Sequence, residues 1–76
     1  MMYKLFRNGT GKVLLDMSYD KKDIIDTLGS YIGCFLTIDY SIYKNENYHD
    51  EKIADIKSME DYVNFKYENK ELRLKR

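Results

Sequence analysis

The sequence predicts a small two-layer α+β domain, a mostly antiparallel sheet carrying two helices on one face in the order ββαββαβ. Three observations carry that expectation. Two β-prone runs flank an Asn-Gly turn at residues 8–11, an amphipathic helical spacing follows from residue 20, and from residue 34 the apolar period switches to two.

The first hairpin is residues 3–7 and 12–17 around Asn8-Gly9-Thr10-Gly11, whose Asn-Gly pair accepts positive φ. Val13, Leu15, Met17 and Tyr19 alternate onto one face. Asp20 is placed as a helix N-cap, with Asp23 three residues on as capping-box partner, and Ile24, Ile25, Leu28, Tyr31 and Ile32 recur at helical spacing. Gly29 disfavours that helix by about 1 kcal/mol relative to Ala, and Gly33 sits where a left-handed C-terminal cap is expected. From Cys34, residues Leu36, Ile38, Tyr40 and Ile42 fall on one strand face and Phe35, Thr37, Asp39, Ser41 and Tyr43 on the other. Residues 44–50 read as a polar loop, and residues 51–57 as a shorter edge-like strand whose charges discourage pairing with other chains.

Ser58 caps a second helix, with Glu60 and Asp61 in its first turn and Met59, Tyr62, Val63 and Tyr67 along one stripe. This helix runs to about residue 69 and is followed by a last strand, 71–75. A competing pattern exists, because Val63, Phe65 and Tyr67 alternate, as do Leu72 and Leu74, which would make residues 62–75 a hairpin. The cap and acidic first turn favour the helix.

Seventy-six residues, 43% of them hydrophobic and with zero formal net charge, suit one folded domain and are too apolar and too neutral for a disordered chain. One cysteine excludes an intramolecular disulfide, and no paired Cys/His spacing suits zinc. Stability is therefore expected from apolar packing, with a homodimer interface as a further source. No run approaches the ~18 apolar residues of a membrane span, and residues 1–8 lack a signal peptide's apolar stretch. A cytoplasmic protein without a membrane partner is expected. Ten Lys, seven Ile, five Asn and eight Tyr are residues of AT-rich codons, the usage of a low-GC bacterium, its phages or mobile elements.

No catalytic, metal or cofactor site is expected. Nucleophilic catalysis needs a nucleophile, a base and an orienting group together. Here Cys34 reads as a small buried hydrophobe and His49 as a solvated loop residue. Asp50 and Glu51 beside His49 match no calcium-loop spacing, and Asp20, Asp23 and Asp26 read as a solvated helix flank. The glycine pair at residues 9 and 11 joins strands, where phosphate binding wants a helix N-terminus.

The aromatics point to binding. Eight tyrosines cannot all be core, because each buried hydroxyl needs a partner. Phe6, Phe35 and Tyr43 are placed on the open sheet face, with Tyr48, Asp50 and Glu51 in the polar loop, and these six form the expected partner-binding set. Residues 46–61 carry six acids against Lys52 and Lys57, a second candidate surface. The expected function is a non-enzymatic regulator or inhibitor of a host protein, docking by one of these surfaces. The alternative is nucleic-acid binding through the basic end, Lys66, Lys70, Arg73, Lys75 and Arg76, with the same aromatics stacking bases. Zero net charge and Asp39, placed between Phe35 and Tyr43, oppose it.

Overall fold

The computed structural model describes residues 1–74, and their side chains through residue 68. Six elements follow in order: β1 (Met2–Arg7), β2 (Val13–Ser18), α1 (Lys21–Ile32), β3 (Tyr40–Glu46), β4 (His49–Ile56) and α2 (Met59–Leu74). The class is the expected α+β, in the order ββαββα. The sheet order is β2-β1-β3-β4 with every pair antiparallel. Because β1 pairs with both β2 and β3, those two strands run parallel, and α1 is the crossover that carries the chain past β1.

One apolar cluster fixes the layers. Leu5, Tyr40, Ile42 and Ile56 from the sheet meet Ile24, Ile25, Leu28 and Ile32 of α1 and Phe65 of α2. Each fully buried side chain of this kind contributes roughly 1.5–3 kcal/mol. Both helices therefore cover the same face. Asp20 caps α1 as expected, its carboxylate accepting from the Lys22 amide at 3.0 Å. Asp23 completes the box indirectly. The Asp20 amide donates to Ser18 Oγ, which donates to the Asp23 carboxylate.

The expected cap on α2 also forms. Ser58 Oγ accepts from the Asp61 amide at 3.1 Å, and the Asp61 carboxylate reaches back to the Lys57 amide at 2.9 Å.

Several local expectations are corrected. Gly33 takes φ −85°, a right-handed cap, and none of the glycines has positive φ. Asn8 instead ties the end of β1 to Asp39, by its amide to the Asp39 carbonyl at 2.8 Å and by its side chain to the Asp39 carboxylate at 3.2 Å. Positive φ occurs at Asn47 and Tyr48, which make the expected polar loop a two-residue turn between longer strands.

The third strand starts at Tyr40, six residues later than the alternation from Cys34 suggests. The intervening segment bridges the helix layer and the sheet, so its alternation has no ladder partner. Cys34, Phe35 and Leu36 are exposed, and Cys34 donates to the Ser30 carbonyl at 3.1 Å rather than filling the core.

A register shift opposite Leu5 and Phe6 breaks the expected face of β2. Leu15 packs on the core, while Val13, Met17 and Tyr19 are exposed. In α2 the inward residues are Tyr62 and Phe65, and Met59, Val63 and Tyr67 face outward. Neither a last strand nor a terminal hairpin forms within the described residues, since α2 continues to Leu74. The Lys, Glu, Leu and Arg of that stretch are good helix formers.

Candidate functional site

The helices leave the other face of the sheet bare. Residues directly opposite one another in antiparallel strands point to the same side. The register therefore places Leu14 and Met17 of β2, Lys4 and Phe6 of β1, Tyr43 and Asn45 of β3, and Asp50, Lys52 and Asp55 of β4 on the open face.

At its centre Phe6 and Tyr43 are diagonal neighbours on the two inner strands. Their rings meet edge to face at 5.5 Å and 86°. Lys12 folds back from the β1–β2 turn, its Nζ 4.5 Å from the Phe6 ring centre and 4.2 Å from that of Tyr43, and donates to the Tyr43 hydroxyl at 3.2 Å. The exposed Leu14 and Met17 extend the apolar area toward β2.

Charge on this face is largely neutralised within it. Lys4 reaches Asp50 at 3.4 Å and Lys52 reaches Asp55 at 3.1 Å. Asn45 donates to the same Asp50 carboxylate at 2.6 Å. That bond first, and then the Lys4 ammonium, hold the Asp50 carboxyl below the usual carboxylate range. The result is an aromatic and aliphatic centre with a rim of paired charges.

The six expected partner-binding residues are divided. Phe6, Tyr43 and Asp50 share the open face. Phe35 lies on the chain that leaves α1, stacked at 6.3 Å and 6° on Tyr31 with the Arg7 guanidinium 4.1 Å from its ring. Tyr40 beneath donates to the Tyr31 carbonyl at 3.3 Å, and burial pushes its phenol up, with Arg7 opposing. Glu51 pairs with Lys44 at 3.9 Å on the helix side of the sheet. Tyr48 stands at the tip of the β3–β4 hairpin. The acidic 46–61 segment is not one surface, because Glu46, Asp50 and Glu51 lie near that tip, Asp55 on β4, and Glu60 and Asp61 in the first turn of α2.

Of the basic residues, Lys66, Lys70 and Arg73 are in α2, on the layer opposite the Phe6–Tyr43 pair, and Lys75 and Arg76 lie outside the described residues. Asp39 is held by Asn8 and does not stand between two open-face aromatics. Cys34 and His49 flank opposite ends of β3, a strand on the order of 20 Å long. Among the described residues no three His, Cys, Asp or Glu side chains gather as a metal site, and no helix is long and apolar enough to cross a membrane.

Sequence reasoning missed Lys4, Lys12, Leu14 and Met17 as members of this face. The period-two pattern of β2 carried a signal for the last two, but the register shift reassigns their side. Lys12 sits in a turn, where periodicity carries no information. No family model, curated protein or solved structure matches the chain.

Proposed function

We propose that this chain is a small non-enzymatic protein-binding module, a regulator or inhibitor that docks the open sheet face on a partner protein. The Phe6–Tyr43 pair carries the reading. Two aromatic rings on the inner strands, extended by Leu14 and Met17 and rimmed by paired Lys and Asp, have the apolar centre and polar rim of a protein interface. Among the described residues Lys12, over both rings, makes no ion pair, and its charge acts on Asp50 only from beyond that distance. The matching partner surface is therefore apolar, with a carboxylate facing Lys12.

The nucleic-acid alternative is weaker on the same geometry. Lys4 and Lys52 already hold carboxylates, and the basic end of α2 lies across the molecule from the rings. A strand stacked on Phe6 and Tyr43 would miss those cations.

The test is quantitative affinity capture with the full chain, comparing wild type, the double variant Phe6→Ala/Tyr43→Ala, and Tyr67→Ala on the opposite layer. Proteins held by wild type and Tyr67→Ala are expected to be lost from the double variant, and Lys12→Glu is expected to weaken them. Equal capture by all four rejects the sheet face. Oligonucleotide binding that falls steeply with salt and is lost in Lys66→Glu/Arg73→Glu would support the alternative instead.

A further inference from the structure

The β3–β4 hairpin ends in a short arm, residues 46–49, that extends beyond the last β1 pairing at Asn45. Residues 46–52 are exposed throughout, and the arm is braced on both sides. Asn45 and Lys4 hold Asp50 on the open face, and Lys44 holds Glu51 on the other. Its turn has two central residues, Asn47 at φ 55° and Tyr48 at φ 63°. Turns with positive φ at both centres match strand twist, and they prefer Asn then Gly. Asn47 fits that preference. Tyr48 does not, because its Cβ crowds the following carbonyl in the left-handed region.

The strain has no intramolecular compensation in packing. Tyr48 is 104% exposed, so its ring gains no burial in return. Backbone strain that local packing does not repay is a mark of functional positions. The same chain holds an Asn8-Gly9 pair in a turn that uses no positive φ, whereas the turn that needs a glycine carries an aromatic.

We infer that Tyr48 is an anchor presented by a rigid arm, inserting into an apolar pocket with a basic rim on a partner protein. Tyrosine is a favoured interface anchor, giving a large contact area with only two side-chain torsions to fix. Asp50 and Glu51 are already paired with Lys4 and Lys44, so Glu46, which makes no ion pair among the described residues, sets the charge of the rim that Tyr48 meets. The proposal rests on the reading of this chain as a protein-binding module, but it assigns the decisive contact to the arm rather than to Phe6 and Tyr43.

The experiment places a photoreactive benzoylphenylalanine at residue 48, at residue 43, or at residue 60 on α2 as control, in the full chain within cells that carry its gene. The protein crosslinked through residue 48 is then purified and titrated against wild type, Tyr48→Phe, Tyr48→Gly and Phe6→Ala/Tyr43→Ala. Tyr48→Gly is expected to keep a thermal midpoint at or above wild type, because glycine relieves the turn, yet to bind roughly 30-fold more weakly. Tyr48→Phe is expected to retain most of the affinity.

Four outcomes would overturn the anchor: no adduct at 48 beyond that at 60, an adduct with nucleic acid or a second copy of the chain, undiminished affinity of Tyr48→Gly, or a lowered midpoint, which would give the ring a structural role. An adduct at 43 with none at 48 overturns the anchor and leaves the sheet face standing. The reverse result, with Phe6→Ala/Tyr43→Ala binding normally, supports the anchor and rejects the sheet face.

Discussion

Asp50 accepts from two side chains, Asn45 of the adjacent strand β3 at 2.6 Å and Lys4, which reaches across from β1, at 3.5 Å. Both favour the charged carboxylate, so its folded pKa is below its ordinary value. A depressed carboxylate contributes stability above its unfolded pKa, and that contribution is lost as pH falls through the folded value. The loss therefore belongs to the acid limb below the ordinary carboxylate range. Removing the first cause should undo the largest single part of the shift. Asn45→Ala is expected to raise the Asp50 midpoint toward an ordinary aspartate in a carboxyl NMR titration. An unmoved midpoint would mean that the Lys4 ammonium, not the amide, sets the shift. That Asp50 is charged and exposed was legible in the sequence. Its face was not, because the register of β4 depends on a two-residue turn whose second residue is a tyrosine. In the same way Cys34 reads as a buried hydrophobe from its apolar neighbours, Phe35 and Leu36, which are themselves exposed.

At the scale of elements, the helix starts were legible because caps are local chemistry. Asp20 and Ser58 each accept a first-turn amide within three residues of themselves. The start of β3 was not, since it depends on where β1 offers partners. The Asn8 amide closes on the Asp39 carbonyl, and the ladder begins at Tyr40 opposite Arg7. Residues 33–39 keep an alternating pattern while crossing between layers, so periodicity alone cannot locate the strand. Gly29 is a related case, read as a weak point in a helix when its reason is a neighbour far along the chain. A Cβ at Gly29 would lie 2.6 Å from the Tyr62 hydroxyl and 3.5 Å from the ring carbon that bears it. The first distance forces a shift, and the second is an ordinary contact. Gly29→Ala in the wild type should therefore forfeit most of the roughly 1 kcal/mol that alanine offers a helix. In a Tyr62→Phe background the same substitution should stabilise by about that amount. Denaturant midpoints of the four chains give the coupling. A coupling near zero would mean that Tyr62 swings away without resistance and that α1 and α2 are not held by this contact.

At the scale of the whole molecule, zero net charge conceals an acid-rich sequence segment, residues 46–61, and a basic end, residues 66–76, and the aromatic surplus is spread over the open face, the arm, the outer side of α2 and the chain flanking α1. An open sheet has a second problem, its two edges, each with unpaired backbone groups that invite another chain. On β4 the expected protection is present as Glu51, Lys52 and Asp55. On β2 it is absent from the composition, since Val13, Leu14 and Met17 are all exposed. The structure offers another device there. At the register shift the Asp16 carboxylate accepts from the Met17 amide at 2.9 Å with one oxygen and from Thr27 Oγ1 of α1 at 2.7 Å with the other. One side chain thus occupies an edge donor and pins the irregular strand to the helix above it. Removing it should act on both stability and association. Asp16→Ala is expected to lose about 1–2 kcal/mol in chemical denaturation. It should also sediment with a concentration-dependent increase in mass, whereas Asp16→Asn, which keeps an acceptor oxygen, should resemble the wild type. Asp55→Ala on the opposite edge keeps Glu51 and Lys52 and should remain unchanged in mass. If Asp16→Ala and Asp55→Ala sediment alike, β2 is protected by its irregular twist alone, and the carboxylate matters only to stability.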